Sequence, residues 1–309
     1  MKKVLLIGAT GYIGEVFTQL LYKNEEIQCM YVPHWKLMFP KDLDDQERWD
    51  EPKIMDLLYE IDPEIVINAA GYIGKPNVDV CEDNKQATYK GNVLLPKALA
   101  KCCQAANVPL MQVSSGCIYT GVNEVKIDGK VVKKGYSEKD LPNFGLHVGS
   151  YYSSTKANAE SIIQNLCDKH YIVRLRIPFD KYHSPRNYLS KLQTYDKLLE
   201  ARNSMTHRYE FVQACIELWL SKAPYGIYNI VNNGSITTSE VVELIKKYLQ
   251  PEKDFKFWES EEEFYRIGAK APRSNCILDN SKLIDAGIKM RPIDEAIEQS
   301  LRYWTLLDQ

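Results

Sequence analysis

The sequence predicts an α/β fold in which a Rossmann-type doubly wound parallel sheet is joined to a smaller C-terminal lobe. Short apolar runs alternate with amphipathic helical patterns through the first half of the chain. A glycine-rich turn connects the first of these runs to the first helical pattern. After residue 177 the alternation gives way to a polar stretch that contains prolines. The first two observations are typical of dinucleotide-binding domains, and the third marks where a second lobe begins.

The strands of the predicted sheet are continuous apolar runs, as expected for strands that are buried on both faces. They are Val4–Ile7, Ile27–Val32, Glu64–Ala70, Leu110–Ser114 and Tyr171–Ile177. Apolar residues at helical spacing predict the helices between them, which are Tyr12–Lys23, Pro52–Ile61, Asn92–Ala106 and Ser153–Lys169. Because parallel strands need a crossover connection, this alternation predicts a parallel sheet with helices on both faces.

The rest of the chain is less regular. A solvated hairpin is predicted within 121–135, with its turn at Asp128-Gly129. The polar stretch from Pro178 to Asn187 is predicted to be a loop that borders a ligand cleft. Further predicted elements are the helices Glu210–Lys222, Thr238–Leu249 (capped by Ser239 or Thr238) and Ile293–Leu306 and the strand Gly226–Val231.

Composition excludes several classes of function. Of the 309 residues 45% are apolar, and the net charge is −2, so the chain can form a large core but lacks the basic surface that nucleic acid binding needs. No apolar run reaches the length of a signal peptide core or a membrane span. The eight cysteines have no paired spacing, which predicts reduced thiols and no metal site. We therefore expect a cytoplasmic protein without nucleic acid or membrane partners.

The glycine-rich turn reads G-A-T-G-Y-I-G and lies between the first predicted strand and the first predicted helix. Glycines here let the backbone turn tightly and approach a pyrophosphate at the N-terminus of the helix. The spacing differs by one residue from G-x-G-x-x-G, and a tight turn without a cofactor is the alternative. The residues predicted to bind a dinucleotide are Gly8, Thr10, Gly11, Tyr12, Ile13 and Gly14.

The residues after the second strand bear on the choice of cofactor. In NAD-binding domains an acidic residue at this point binds the adenosine ribose. Here the strand is followed by Pro33-His34-Trp35-Lys36, which contains no acid. His34 and Lys36 could instead bind a 2′-phosphate, so NADPH is predicted, and NADH remains possible.

Tyr152 and Lys156 are four residues apart in a predicted helix and therefore project from one face. A nearby cation lowers the pKa of a phenol and makes it a better proton donor and acceptor near neutral pH. Tyr151 has no such partner. Taken alone, such a pair also arises by chance on helix surfaces.

With the glycine turn, Asn68-Ala69-Ala70-Gly71 and Ser114-Ser115, this pair resembles the extended short-chain dehydrogenase/reductases. The resemblance implies that Tyr152 is the catalytic acid and that Lys156 binds the nicotinamide ribose and lowers the pKa of that tyrosine. It also implies that Ser115 binds the substrate oxygen. Further cofactor-binding residues implied by the resemblance are Asn68, Ala69, Ala70, Gly71 and Asn92.

Four segments are similar to nucleotide-sugar 4-keto-reductases that make rhamnose, and in particular to plant-type bifunctional UDP-rhamnose synthases and their giant-virus homologue. They are Gly74–Asp83, Ser114–Tyr119, Ser184–Lys191 and Ala271–Asp279. This resemblance implies 3,5-epimerisation and 4-reduction of UDP-4-keto-6-deoxyglucose to UDP-L-rhamnose with NADPH, and it implies that Cys117 and Lys191 are the epimerase pair. The substrate-binding residues implied are Gly74, Lys75, Asn77, Arg186, Asn187 and Arg273, with the two arginines as candidates for the diphosphate.

Several alternatives remain open at this point. Cys117 by itself could be a core residue at the end of a strand, and either arginine could form a surface ion pair. A monofunctional dTDP-4-dehydrorhamnose reductase is a second possibility, although those enzymes resemble S-T-D-x-V-F and lack the cysteine. A non-catalytic NADP-binding regulatory subunit of the same fold is a third, and the intact Ser115, Tyr152 and Lys156 disfavour it. The sequence also departs from the plant enzymes over Tyr31–Trp49 and in having Ser115 in place of a threonine.

The domain organisation follows from these assignments. Residues 1–178 are predicted to form the NADP-binding domain, rejoined by about 206–235, and residues 179–309 to form mainly the substrate-binding lobe. A homodimer is possible, because the family often dimerises through helices such as Asn92–Ala106 and Ser153–Lys169. The choice between a UDP and a dTDP sugar is open.

Overall fold

The main element of the fold is a six-stranded parallel sheet. The computed structural model describes residues 1–38, 49–75, 77–127, 130–145 and 148–306. In chain order the strands are β1 (Lys2–Ile7), β2 (Ile27–Val32), β3 (Ile65–Asn68), β4 (Leu110–Ser115), β5 (Asn123–Ile127), β6 (Lys130–Lys134), β7 (His170–Leu175), β8 (Pro178–Phe179), β9 (Arg202–Asn203), β10 (Thr206–His207), β11 (Gly226–Asn229) and β12 (Ile236–Thr237). The six-stranded sheet has the order β11-β7-β4-β3-β1-β2. The predicted α/β fold with a doubly wound parallel sheet is confirmed.

The helices follow the strands as the alternating pattern predicts. In chain order they are α1 (Gly14–Tyr22), α2 (Glu51–Ile61), α3 (Val80–Asp83), α4 (Lys85–Tyr89), α5 (Leu95–Ala105), α6 (Tyr151–Leu166), α7 (Tyr188–Thr194), α8 (Arg208–Leu220), α9 (Thr238–Tyr248), α10 (Glu261–Glu263), α11 (Ser281–Asp285) and α12 (Ile293–Arg302). Tight 3₁₀ turns occupy His34–Leu37 and Gly116–Ile118, and wider π-type turns occupy Lys90–Leu94 and Phe264–Gly268.

The register of the sheet brings the ends of four strands to one edge. Ile7 at the end of β1 lies opposite Val32 of β2 on one side and Asn68 of β3 on the other, and Asn68 lies opposite Gln112 of β4. Ligands of open parallel sheets bind beyond the carboxyl ends of the strands. The residues that follow these four strands are therefore placed where a cofactor would lie.

The chain divides into two compact units, each assembled from three segments. Unit 1 comprises the described residues of Met1–Ser114, Tyr151–Val173 and Lys222–Tyr228. Unit 2 comprises those of Ser115–Ser150, Arg174–Ser221 and Asn229–Gln309. The boundary at Ser114–Ser115 falls within β4, so adjacent residues of one strand belong to different units.

Each unit has its own apolar core. In unit 1 the sheet residues Leu5, Ile7 and Val66 pack with buried residues of α2 and α5, such as Leu58 and Leu99. In unit 2 the buried cluster joins α7, α9 and α12 through residues such as Leu189, Val241 and Ile297. Burying one such aliphatic side chain is worth about 1.5–3 kcal/mol, so these clusters fix the helices that carry the candidate site.

One local prediction is wrong. The cap of α9 is Thr237, rather than Thr238 or Ser239, because Thr237 and Glu240 form a reciprocal capping box. The predicted loop ends at Asn187, and α7, which the sequence did not predict, begins directly after it. The antiparallel hairpin β5–β6 is confirmed, and its predicted turn at Asp128-Gly129 lies outside the described residues.

Candidate active site

The glycine-rich turn is packed so tightly that two of its glycines cannot be replaced without moving the backbone. Gly8 has a φ of +87°, and a Cβ there would lie 2.4 Å from the backbone nitrogen of Ala70. A Cβ at Gly14 would lie 1.9 Å from the carbonyl oxygen of Gly8. The turn closes through the Gly11 N–H, which donates to that oxygen at 2.9 Å. Helix α1 thus starts directly above the end of β1, with its first backbone N–H groups placed for a pyrophosphate.

Two buried asparagines hold the backbone that follows β3. We call the segment Asn68–Gly71 the wall of the predicted cofactor site. Asn68 accepts a hydrogen bond from the Ala70 N–H at 3.1 Å and is fully buried. Asn92 holds Tyr72 at both backbone atoms, at 2.7 and 2.8 Å. Both side-chain amides are therefore engaged with the protein, Asn68 with Ala70 and Asn92 with Tyr72. That these two residues bind the cofactor stays a prediction.

His34 and Lys36 lie on the exposed 3₁₀ turn that follows β2. Because the last residue of β2 is opposite Ile7, this turn stands beside the glycine-rich turn. The ring of His34 contacts Trp49 edge-on at 6.5 Å, and the Lys36 ammonium lies 5.6 Å from the ring of Trp35. Residues 33–37 contain no carboxylate, and two basic side chains are available there for a phosphate.

Tyr152 and Lys156 occupy the first two turns of α6. Lys156 is 6% exposed, and its ammonium donates to the carbonyl oxygen of Val113 in β4 at 2.9 Å. The neighbouring Tyr151, for which the sequence indicated no cation, lies under the Lys85 ammonium, 5.5 Å from the centre of its ring. Burial, followed by Tyr89 and Glu82, raises the pKa of Tyr151. The choice of Tyr152 over Tyr151 therefore rests on its four-residue spacing from Lys156 and stays a prediction.

Ser115 and Cys117 are held in one tight turn at the end of β4. The Ser115 hydroxyl oxygen accepts the Cys117 N–H at 3.2 Å, and both residues are buried, at 9% and 8% exposure. A Cβ at Gly116 would lie 2.6 Å from the side chain of Leu278, so the turn packs closely on the segment that contains that residue. With its oxygen accepting this N–H, the Ser115 hydroxyl can still donate its proton to a carbonyl oxygen.

Side chains of the segment from Arg273 to Cys276 donate hydrogen bonds to the backbone of the turn that contains Cys117 and of Tyr119, which follows it. The Ser274 hydroxyl donates to the Tyr119 carbonyl at 2.6 Å. The Cys276 thiol donates to the Gly116 carbonyl at 3.3 Å. Arg273, which precedes Ser274, is therefore tied by the chain to the Cys117 turn.

Lys191 lies on α7, a short helix that the sequence did not predict. Asn187 caps this helix by accepting the Leu189 N–H at 3.0 Å. Burial, followed by the positive charge of Arg273, lowers the pKa of Lys191 below its ordinary value of 10.5. Unit 2 thus contains a partly buried amine whose pKa is lowered by burial and by Arg273, and Arg273 is linked by the chain to the Cys117 turn.

The other predicted substrate residues are divided between the two units. Asn187 is fully buried, and its amide donates to the carbonyl oxygens of Asp180 and Tyr182, both at 2.8 Å, so it holds the loop that carries the partly exposed Arg186. In unit 1, Lys75 is exposed and Asn77 caps the turn by accepting the Asp79 N–H at 2.9 Å. Gly74 has a φ of +71°, and a Cβ there would lie 2.5 Å from the carbonyl oxygen of Asn77.

Two buried polar residues behind Lys156 were missed in the sequence. Glu160 follows Lys156 by one helical turn, and its carboxylate accepts the Ser114 hydroxyl at 2.5 Å. Gln112 is 2% exposed in β4 and donates to the same Val113 carbonyl as Lys156, at 2.9 Å. The i, i+4, i+8 spacing of Tyr152, Lys156 and Glu160 is the signal that could have identified the first of these.

The chain matches the family model described as RmlD substrate binding domain over residues 1–305. A trifunctional UDP-glucose 4,6-dehydratase/UDP-4-keto-6-deoxy-D-glucose 3,5-epimerase/UDP-4-keto-L-rhamnose-reductase of Arabidopsis thaliana is 31% identical over 299 residues, which cover 96% of this chain and 41% of that protein. A bifunctional dTDP-4-dehydrorhamnose 3,5-epimerase/dTDP-4-dehydrorhamnose reductase of the same plant is 33% identical over 252 residues, which cover 80% of this chain and 79% of that protein. The chain therefore spans less than half the length of the trifunctional relative.

Solved structures show the same fold. The L780 UDP-rhamnose synthase of Acanthamoeba polyphaga mimivirus superposes with a TM-score of 0.83 at 25% identity, covering 97% of this chain and 99% of that one. A dTDP-4-dehydrorhamnose reductase of Bacillus anthracis in complex with NADP has a TM-score of 0.75 at 23% identity, covering 98% and 99%. The predicted resemblance to plant epimerase/reductases and their giant-virus homologue is confirmed. Within the described residues, no helix is long and apolar enough to cross a membrane.

Proposed function

Because the chain belongs to the family of the RmlD substrate binding domain, which comprises NAD(P)-dependent 4-keto-rhamnose reductases, we propose that it is a bifunctional 3,5-epimerase/4-reductase. Its proposed reaction converts UDP-4-keto-6-deoxyglucose to UDP-L-rhamnose. The observation that carries the epimerase half is the setting of Lys191, a partly buried amine beside Arg273 in the unit that also holds the Cys117 turn. The glycine-rich turn, Tyr152 and Lys156 carry the reductase half.

Reduction at C4 needs a hydride donor, a proton donor and a group that orients the ketone. The close packing at Gly8 and Gly14 starts α1 directly above the end of β1, which supports a dinucleotide site at the N-terminus of this helix, next to the Asn68–Gly71 wall. NADPH, when bound, would supply the hydride. Tyr152 would donate its proton to O4, and the Ser115 hydroxyl would donate a hydrogen bond to the same oxygen. The buried Lys156 ammonium would hold the nicotinamide ribose and stabilise the tyrosinate that forms.

Epimerisation uses the acidity that the C4 ketone confers on the C–H groups at C3 and C5. At each carbon a base removes the proton from one face of the ring, the negative charge moves onto O4, and an acid returns a proton to the other face. Two groups are needed, and we assign these roles to Lys191 and Cys117. The lowered pKa of Lys191 supports this role, because an amine can accept a proton only in its uncharged form.

The test is incubation of the protein with UDP-4-keto-6-deoxyglucose and NADPH in D₂O, followed by identification of the sugar and of the deuterated positions. We expect UDP-rhamnose labelled at C3 and C5. Tyr152→Phe should lower reduction by about 10²–10⁴-fold, the usual worth of a general acid, while exchange at C3 and C5 continues.

The epimerase residues are tested in the same assay. Cys117→Ala and Lys191→Met should each abolish deuterium incorporation at C3 and C5. Cys103→Ala, a change at another buried cysteine that lies in α5 of unit 1, is the matched control and should leave incorporation intact. Normal exchange at both positions in Cys117→Ala would assign this cysteine to packing alone. Running the assay with the dTDP sugar as well decides which nucleotide is preferred.

A further inference from the structure

We propose that Gln112 is a positioning residue that fixes Lys156 through the Val113 carbonyl and couples it to the wall formed by Asn68–Gly71. The proposal rests on the role of Lys156 in binding the cofactor that was proposed above. Gln112 belongs to none of the motifs that carry the resemblance, and its only route to the cofactor is through its neighbours in the strand and the wall.

A continuous chain of hydrogen bonds leads from the wall to the lysine. The Ala70 N–H donates to Asn68 Oδ1 at 3.1 Å, and Asn68 Nδ2 donates to Gln112 Oε1 at 2.8 Å. Gln112 Nε2 then donates to the Val113 carbonyl at 2.9 Å. Lys156 Nζ donates to that same carbonyl, also at 2.9 Å. All of these residues belong to unit 1.

The burial of Gln112 is costly unless both ends of its amide are bonded. It is 2% exposed and lies between Met111 and Val113 in a strand in which every residue is buried. An apolar side chain would fill this position without the desolvation penalty of a buried amide. Instead, the amide oxygen of Gln112 accepts a hydrogen bond from Asn68, and its nitrogen donates to the Val113 carbonyl to which Lys156 also donates.

The shared carbonyl explains how Gln112 can act on the lysine. A carbonyl oxygen has two lone pairs, and the amide N–H of Gln112 occupies one of them. The Lys156 ammonium is thereby directed to the other, which fixes one of its three donors. Fixing this donor also fixes the rotation of the ammonium group about its bond to the side chain. Removing Gln112 would let the carbonyl and the ammonium reorient together.

The test is a double-mutant cycle on the affinity for NADPH, measured with the full chain by the change in protein fluorescence on binding. Gln112→Met keeps the volume and removes both hydrogen bonds, and Lys156→Met removes the ammonium. In the wild-type background we expect Gln112→Met to weaken NADPH binding about tenfold. In the Lys156→Met background the same change should have a clearly smaller effect, since only the bond between Gln112 and Asn68 is then left to lose.

Urea unfolding of Gln112→Met measures any general destabilisation, and an exposed glutamine of unit 1 provides a control for the loss of an amide that is bonded at both ends. Gln104 also uses both ends of its amide, donating to the Asp168 carboxylate at 2.8 Å and accepting the Asp168 N–H at 2.9 Å, but it contacts none of the site residues. Gln104→Met should leave the affinity for NADPH unchanged. If Gln112→Met does not fold, Gln112→Asn keeps a buried amide that is one methylene too short to reach both partners, and the same expectation applies.

The outcomes distinguish this proposal from the proposed function. Equal losses of NADPH affinity from Gln112→Met in both backgrounds, or no loss beyond that of Gln104→Met, would overturn the positioning role. A wild-type protein that binds NADPH but does not reduce the UDP keto sugar would overturn the proposed function, and the binding cycle would still decide the role of Gln112.

Discussion

At the scale of the residue, His207 begins α8 and is nearly buried, with its ring 5.5 Å from that of Phe179. Burial lowers its pKa from 6.5 to about 4, and the positive charge of Arg291 adds to this shift while Glu210 opposes it. The ring nitrogen accepts the Glu210 N–H at 3.4 Å, which requires the uncharged form. The unfolded chain therefore binds a proton at a higher pH than the folded protein does.

The free energy of unfolding should consequently fall as the pH drops from about 6.5 to about 4, by about 3 kcal/mol from this residue alone. Above pH 7 the residue contributes no pH dependence. Urea unfolding at pH 7, 5.5 and 4.5 measures the slope, and His207→Asn, which keeps a capping side chain, should reduce it. An unchanged slope in that variant would show that other groups cause the acid sensitivity.

The turn after β2 makes a prediction about cofactor choice. Because His34 and Lys36 replace the usual acid, kcat/KM should be higher with NADPH than with NADH. Lys36→Glu should reverse much of this preference by repelling the 2′-phosphate. Lys97→Glu, the same change on the exposed face of α5, is the control and should leave the ratio unaltered. A wild-type preference for NADH would mean that His34 and Lys36 do not bind the phosphate.

The candidate site residues that the sequence indicates are those whose neighbours are local. Gly8, Gly14, Tyr152 and Lys156 follow from spacing within one turn or one helix. Gln112 could not be found in this way, because its partner Asn68 is 44 residues away in the chain. The residues next to a single glutamine in an apolar strand do not indicate which groups its amide will bond in the folded protein.

At the scale of the element, a buried ion pair fixes the loop that leads to α7. Asp180 is fully buried and lies 2.7 Å from the Arg208 guanidinium of α8. The carbonyl of Asp180 also accepts a hydrogen bond from Asn187, the cap of α7. The position of Lys191 therefore depends on a charge pair that the sequence analysis did not identify.

Asp180→Ala should lower the free energy of unfolding by about 3–5 kcal/mol, because it leaves the Arg208 charge buried without a partner. Replacing both residues, with Asp180→Leu and Arg208→Met, should be less damaging than either single change. Lys101→Ala breaks the exposed pair with Glu51 and should cost less than about 1 kcal/mol. Equilibrium unfolding in urea compares these variants, and a small loss in Asp180→Ala would contradict the structural role of the pair.

Elements with strong local patterns were predicted to within a few residues. The strand at Ile27–Val32 has the predicted bounds, and α2 begins one residue before its predicted start. Helix α7 was not predicted, because Pro185 and the polar residues around it indicate a loop. The start of the helix depends on the Asn187 cap. The cap of α9 was misplaced by one residue, since Thr237 and its neighbours are all capping types and only the bond to Glu240 selects it.

At the scale of the whole molecule, the order of the strands could not be derived from the sequence. The pattern predicted a parallel sheet, but the pairing β11-β7-β4-β3-β1-β2 is set by contacts between residues far apart in the chain. Strand β11, for example, lies beside β7 although the short strands β8–β10 and the helices α7 and α8 separate them. The division into two interleaved units follows from these pairings.

The chain passes between the two units five times, and this interleaving constrains how the protein can emerge from a ribosome. β7 ends at Leu175 and the edge strand β11 ends at Asn229, so the sheet lacks its last strand while the 54 residues after β7 are synthesised. At about 5–20 residues per second, translation of that stretch takes roughly 3 to 11 seconds. During this time the outer side of β7 presents unpaired backbone groups to the surrounding solution. The nascent protein therefore passes through a period in which a chaperone or another nascent copy can compete for that strand.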